Sequence, residues 1–281
     1  MTTTTTLTAG AARRRRPRSA TSLTRSSGLG LGIALTWFSL LVLIPLGLIV
    51  IQSTDGGWHT FHDTITSPQT ASALRLTVLQ SFYVTIANVV FGTLIAWVLV
   101  RDEFPGKRLL EVIIDIPFAL PTIVAGLVLL SLYGPKSPIG LNVANTERSV
   151  FLALLFVTLP FVVRTVEPVL IELDPEVEEA AASLGASRFT IVRRILLPAL
   201  APAITAGAAL AFARGISEYG SLVLLSGNLP NHTEVASVRI LTYIENGDKA
   251  GAASVAVILL AVALAAIVLL QLLTRAVAKR G

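Results

Sequence analysis

Four ionisable residues stand in stretches that are otherwise apolar: Arg164 and Glu167 near the end of 149–170, and Arg214 and Glu218 within 199–225. Residues three or four apart share one face of a helix, so each pair can neutralise itself. In a membrane such groups are costly and either line a polar pathway or fix helices against one another. As pathway groups, the arginines would assist an anion, and the Ser217 and Ser221 hydroxyls flanking Glu218 would donate to an oxyanion. As structural pairs they would only set helix register, since an arginine already facing a carboxylate is a poor anion trap. Glu111 and Asp115, at the end of another apolar run, would reach the interface.

Other chemistries find little support. None of the four lysines (Lys107, Lys136, Lys249 and Lys279) completes a GxxxxGK[ST] phosphate loop, so this chain is not expected to hydrolyse ATP. There is no HExxH and no GxSxG, and hence no catalytic residue to name. His59 and His62 have a metal-like spacing but fall in a loop, where lone imidazoles are ordinarily solvated. The absence of cysteine removes disulfides and thiolate ligands, and no metal site is expected.

The elements that carry these residues follow from hydropathy. The 281 residues are 53% hydrophobic and 14% charged, with mean hydropathy +0.75. That composition and its long apolar runs predict an all-α polytopic membrane protein. Six spans are expected, at 29–51, 76–100, 112–133, 149–170, 199–225 and 250–274, which together make one transmembrane domain over 29–274. Pro45, Pro117, Pro121, Pro160, Pro168 and Pro202 fall inside these spans and can kink or break them. With the N-terminus in the cytoplasm, 15 of the 22 Lys and Arg lie on the inner side and five on the outer side. The positive-inside rule therefore places both termini, and residues 174–198, in the cytoplasm. The basic tail 1–28 reads as a topology determinant beside anionic lipid rather than a nucleic-acid patch, and its Thr-, Ala- and Ser-rich part as disordered. Residues 275–281 form a short cytoplasmic C-terminal tail.

Residues 174–198, "DPEVEEAAASLGASRFTIVRRILLP", are charged and amphipathic between two apolar runs. Asp174 suits an N-cap, Pro175 the first helical position, and Glu176, Glu178 and Glu179 the positive end of the helix dipole. Val177, Ala180, Ala181 and Leu184 make one apolar stripe before a glycine stop at Gly185. Ser187 can cap a second helix bearing Phe189, Val192 and Ile195, which Pro198 is expected to end. Such a helix–Gly–helix unit could dock in a groove of a soluble partner or lie on lipid. These residues alone leave both readings open.

The same stretch resembles the EAA signature of ATP-binding-cassette importer permeases: Glu-Ala-Ala, three residues, Gly, nine residues, Ile, one residue, Leu-Pro. It matches at Glu179, Ala180, Ala181, Gly185, Ile195, Leu197 and Pro198. Similarity to the permease core runs from "LRLTVLQSFYVTIANVVFG" to about residue 274. "FARGISEYGSLVLLSGNLPNHTEVASVRI" resembles the sulfate/thiosulfate branch, and within it the T (or U) type membrane subunit. The resemblance implies a type I importer permease with coupling helices between spans four and five, seated in a cleft of a separate ATPase. It further implies a second related permease, two ATPase subunits carrying ATP and Mg, and an extracytoplasmic sulfate/thiosulfate-binding protein. The expected place is a bacterial inner or plasma membrane. A molybdate or tungstate importer permease is the alternative, and an ATP-independent carrier or channel the more distant one.

Overall fold

The computed structural model describes residues 25–278, and every described element is helical. The expected basic tail therefore lies mostly outside the described residues. Residues 25–28 already belong to the first helix, and residues 275–278 to the last.

The chain divides into two compact units, residues 1–47 and 48–281. α1 (Arg25–Phe38) runs through a wide π-helical turn at Ser39–Leu43 into α2 (Ile44–Ser53), of which only residues 44–47 belong to the first unit. Together they form a continuous apolar helix over Ser27–Ser53. At the wide turn the Ile44 amide donates to the Ser39 carbonyl, five residues back, and Pro45 follows at once. A proline inside an α-helix lacks a donor, and its ring presses on the carbonyl four residues earlier. Widening the preceding turn by one residue relieves both, so Pro45 does not break the span.

The second unit continues with α3 (Gly57–Thr66), α4 (Pro68–Arg101), α5 (Lys107–Ala119), α6 (Thr122–Tyr133) and α7 (Glu147–Glu172). It ends with α8 (Pro175–Ser183), α9 (Arg188–Ile191), α10 (Leu197–Ile216), α11 (Gly220–Leu225), α12 (Ala236–Glu245) and α13 (Lys249–Ala278). Of these, α4, α7, the continuous helix Arg188–Ile216 and α13 are long and apolar enough to cross a membrane.

The expected third span is not straight. The path bends by 118° between α5 and α6, around Leu120 and Pro121. Leu120 is extended, as the residue before a proline prefers, and Pro121 then caps α6. The five straight candidates become six when this bent pair is taken as one span. By contrast, Pro117, Pro160, Pro168 and Pro202 sit inside helices that continue through them.

The expected fifth span also shifts. Its helix starts in the hydrophilic segment, at Arg188, and ends at Ile216; Ser217–Tyr219 then break it before α11. Pro198 does not end the second short helix. A second π-helical turn, Val192–Leu196, lets the helix pass: the Leu197 amide reaches back to the Val192 carbonyl, and Pro198 comes next. The register around this proline repeats that around Pro45.

Close packing centres on α7. A Cβ on Gly92 of α4 would meet the Val162 side chain at 2.9 Å, and one on Gly207 of α10 would meet the Val162 backbone at 3.0 Å. Val162, Val163, Val166 and Leu170 are fully buried there with Ala96 and Leu200. Small residues at crossings let membrane helices approach closely. A polar contact adds register: Asn88 donates to Thr158 at 2.7 Å in the α4–α7 interface.

Candidate functional site

The segment 174–198 folds as one short helix, α8, and the opening turns of the long helix Arg188–Ile216, joined at a glycine. Asp174 accepts from the Glu176 amide at 2.9 Å and caps α8, with Pro175 in the first turn. At the other end the Gly185 amide reaches the Ala182 carbonyl and the Ala186 amide that of Ala181, closing a Schellman motif. Gly185 has φ +87°, which the motif requires and which L residues resist. Ser187 caps the helix that follows, its Oγ accepting from the Thr190 amide.

The apolar stripe faces away from this chain. Leu184 is 89% exposed, Phe189 72% and Val177 51%. These are large apolar groups with little to cover them within the chain, and such a patch marks an interaction surface. Ile191 and Leu196 point the other way and are buried. A cleft of about 360 Å³ lies behind the stripe, between Trp97 of α4, Glu178 and Glu179 of α8, and Arg188 and Val192. Of the signature residues, Ala181 and Ile195 are half-buried, while Glu179, Ala180, Gly185, Leu197 and Pro198 are exposed.

One anchor of this segment was not visible in the sequence. Arg101, the last residue of α4, donates from Nη2 to Glu178 Oε1 at 2.7 Å and to the Leu173 carbonyl at 3.3 Å. Its guanidinium also lies 5.9 Å from the centre of the Trp97 ring. The partners are 77 residues apart in sequence, so no local spacing could announce them.

Arg164 does form its expected contact with Glu167, at 2.6 Å, but that is the lesser half of its environment. Its Nε and Nη2 grip Asp115 in a two-pronged bond of 2.8 and 2.5 Å, and Nη2 also reaches the Glu111 carbonyl at 3.4 Å. Asp115 thus pairs across to α7 rather than only reaching the interface, and the guanidinium clamps α5, the first arm of the bent pair, to α7. With two carboxylates on one arginine, the local charge is negative and disfavours an anion.

Arg214 Nη2 approaches Glu218 Oε2 to 2.6 Å, the expected i, i+4 pair. The contact is close but out of hydrogen-bond alignment, so Oε2 has no hydrogen bond although the carboxylate is fully buried. Oε1 instead accepts from both the amide and the hydroxyl of Ser221, at 2.9 and 3.0 Å. Ser217 Oγ donates to the Arg214 carbonyl. Both serine hydroxyls therefore have partners inside the chain, and Glu218 organises the break between α10 and α11. There α6 and α11 touch backbone to backbone: a Cβ on Gly126 would meet the Ser221 carbonyl oxygen at 2.8 Å, and one on Gly220 would meet the Ile123 amide nitrogen at 2.7 Å.

The far end of α4 carries a second polar cluster, also missed. Gln69 donates to the buried Glu234 at 2.7 Å, and the Thr70 and Tyr243 hydroxyls bond at 2.9 Å. Arg239 stacks 4.4 Å above the Tyr243 ring. His59 and His62 stand on the exposed face of α3 beside Asp63, and among the described residues no three metal-ligating side chains converge.

Comparison with known proteins agrees with this geometry. Residues 88–280 match the family described as binding-protein-dependent transport system inner membrane component. The chain is 42% identical over 238 residues to the sulfate transport system permease protein CysT of Salmonella typhimurium, covering 82% of this chain and 86% of that one. It is 45% identical over 240 residues to a probable sulfate transport system permease of Nephroselmis olivacea, covering 82% and 84%. Among solved structures it resembles a chain of a bacterial alginate ABC transporter in complex with a pentasaccharide-bound periplasmic protein. That likeness has a TM-score of 0.73 and 17% identity, and covers 90% of this chain and 94% of that one. A chain of the inward-facing MetNI methionine ABC transporter follows at TM-score 0.56 and 19% identity, over 75% and 99%.

Proposed function

The chain belongs to the family of binding-protein-dependent transport system inner membrane components, and from that premise we propose that it is the T-type permease subunit of a sulfate importer. It is a multi-pass membrane protein and a transport component. The observation that carries the cargo is identity above 40% to sulfate permeases over most of both chains. Sulfate and thiosulfate are both dianions of a kind such a pathway would pass.

The segment 174–198 is the contact for a separate ATPase subunit. Its exposed Val177, Leu184 and Phe189 supply an apolar helix face of the kind that fills a groove. The bias of Lys and Arg supports a cytoplasmic place for this segment and for both termini. Two ATPase subunits holding ATP and Mg, a second permease and an extracytoplasmic binding protein complete the machine. Closure of the ATPases draws the docking segments together and opens the pathway outward; the binding protein then releases its anion, and hydrolysis resets the inward-facing state. Nucleotide thereby biases a two-state element, and the permease moves as rigid parts. The paired arginines Arg164 and Arg214 act mainly to hold helices, and specificity rests with the binding protein.

The test is uptake of labelled sulfate into vesicles holding this chain and its second permease, with and without the ATPase and binding protein. Uptake that requires both supports the reading. Uptake without the ATPase would make the chain a carrier. An assembled complex that moves molybdate but no sulfate would overturn the cargo and keep the machine.

A further inference from the structure

α4 is the longest of the described helices, 34 residues or about 50 Å from end to end. Its interior contains no proline, whereas α7 and α10 do. One end carries Arg101 against α8; the other carries Gln69 and Thr70 against Glu234 and Tyr243, in the stretch that joins α11 to α13. Among the described residues, Arg101 to Glu178 is the sole ion pair linking α8 to a membrane-crossing helix. Both side chains are more than three-quarters covered, so the pair is shielded from the screening that makes exposed pairs weak.

The arginine is held more firmly than a chance contact requires. One Nη2 bonds both Glu178 and the Leu173 carbonyl, which lies at the hinge where α7 ends and α8 begins. The Trp97 ring lies beside the guanidinium. The Nε group is buried without a hydrogen-bond partner, an unfavourable placement kept only where other contacts fix the side chain. We infer that Arg101 is a positioning residue for transport: through Glu178 it makes α8 and α4 move together, so that displacement of the docking segment reaches the opposite end of α4. This rests on the reading of 174–198 as the ATPase contact. It concerns how motion leaves that contact, not how the contact forms, because the docking stripe is Val177, Leu184 and Phe189.

The experiment uses the complete complex in proteoliposomes and counts labelled sulfate transported per ATP hydrolysed, with ATPase co-purification measured in parallel. Arg101→Gln and Glu178→Gln are each expected to lower that ratio about tenfold while the ATPase stays bound, and the double variant to be no worse than the poorer single. A merely structural role would lower the amount of complex and leave the ratio unchanged. A ratio within about twofold of the unaltered complex, or losses that multiply in the double variant, overturns the inference. If Arg101→Gln fails to accumulate, Glu178→Gln alone decides, since α8 lies outside the crossing helices. If the ATPase does not bind the unaltered chain, or binds Leu184→Asp equally well, the docking reading itself falls, and the inference with it.

Discussion

The two ends of α4 meet segments of similar length and opposite construction. At one end, residues 174–198 present Leu184 and Phe189 outward, and a single ion pair ties α8 back to the crossing helices. At the other, residues 226–246 bury Ser226, Thr233 and Glu234. Thr233 bonds the Ser226 carbonyl at 2.5 Å, Gln69 holds Glu234, and the Thr77 hydroxyl accepts from the Ala236 amide at 2.8 Å. The second segment has these buried polar groups bonded either within itself or to α4. The first leaves its largest apolar side chains uncovered within this chain. Substitutions at the first end should therefore change association and coupling, and those at the second should change stability.

Four substitutions would break or sharpen that contrast. The largest effect is expected from Gly185→Trp. The site has open space and φ +87°, so the chain should still insert, but a left-handed tryptophan would distort the motif beside the docking stripe. Sulfate uptake should fall by about 100-fold, as when a central interface contact is lost. Next, Leu184→Asp should weaken ATPase binding about 30-fold in a pull-down titration without changing the thermal midpoint of the chain in detergent. Gln69→Ala should do the reverse: the buried Glu234 loses its donor, which costs about 1.5 kcal/mol of stability, and ATPase binding stays as it was. Thr233→Val, which removes both the bond to the Ser226 carbonyl and the one accepted from the Leu229 amide, should cost a comparable amount, about 1.5 kcal/mol, in the same melt. If Gln69→Ala loosened the ATPase as much as Leu184→Asp does, the two ends would not differ in kind.

The difference between the ends also marks what a sequence discloses. Residues 174–187 could be read almost atom by atom, because caps and Schellman glycines act over a few residues: Asp174, Pro175, Gly185 and Ser187 take the places their chemistry predicts. The i, i+3 and i, i+4 pairs of Arg164 and Arg214 were visible for the same reason. Contacts between helices were not. Asp115 reaches Arg164 across 49 residues, Glu178 reaches Arg101 across 77, and Glu234 reaches Gln69 across 165. Hydropathy sees length but not direction, so 112–133 passed as one span although Pro121 turns it. It also could not show that the helix containing Pro198 would widen rather than stop, since that depends on whether the turn before a proline can take up one more residue.

That extra residue acts as a phase adjuster. An α-helix advances about 100° per residue, so the widened turn at Val192–Leu196 sets the azimuth of everything on its N-terminal side independently of the helix beyond it. Removing one residue from the turn, together with Pro198→Ala, would leave a regular helix of nearly the same length in which Phe189 faces a different quarter of the compass. The membrane half of this helix and its water half are thus indexed separately, much as two gears on one shaft can be set to different teeth.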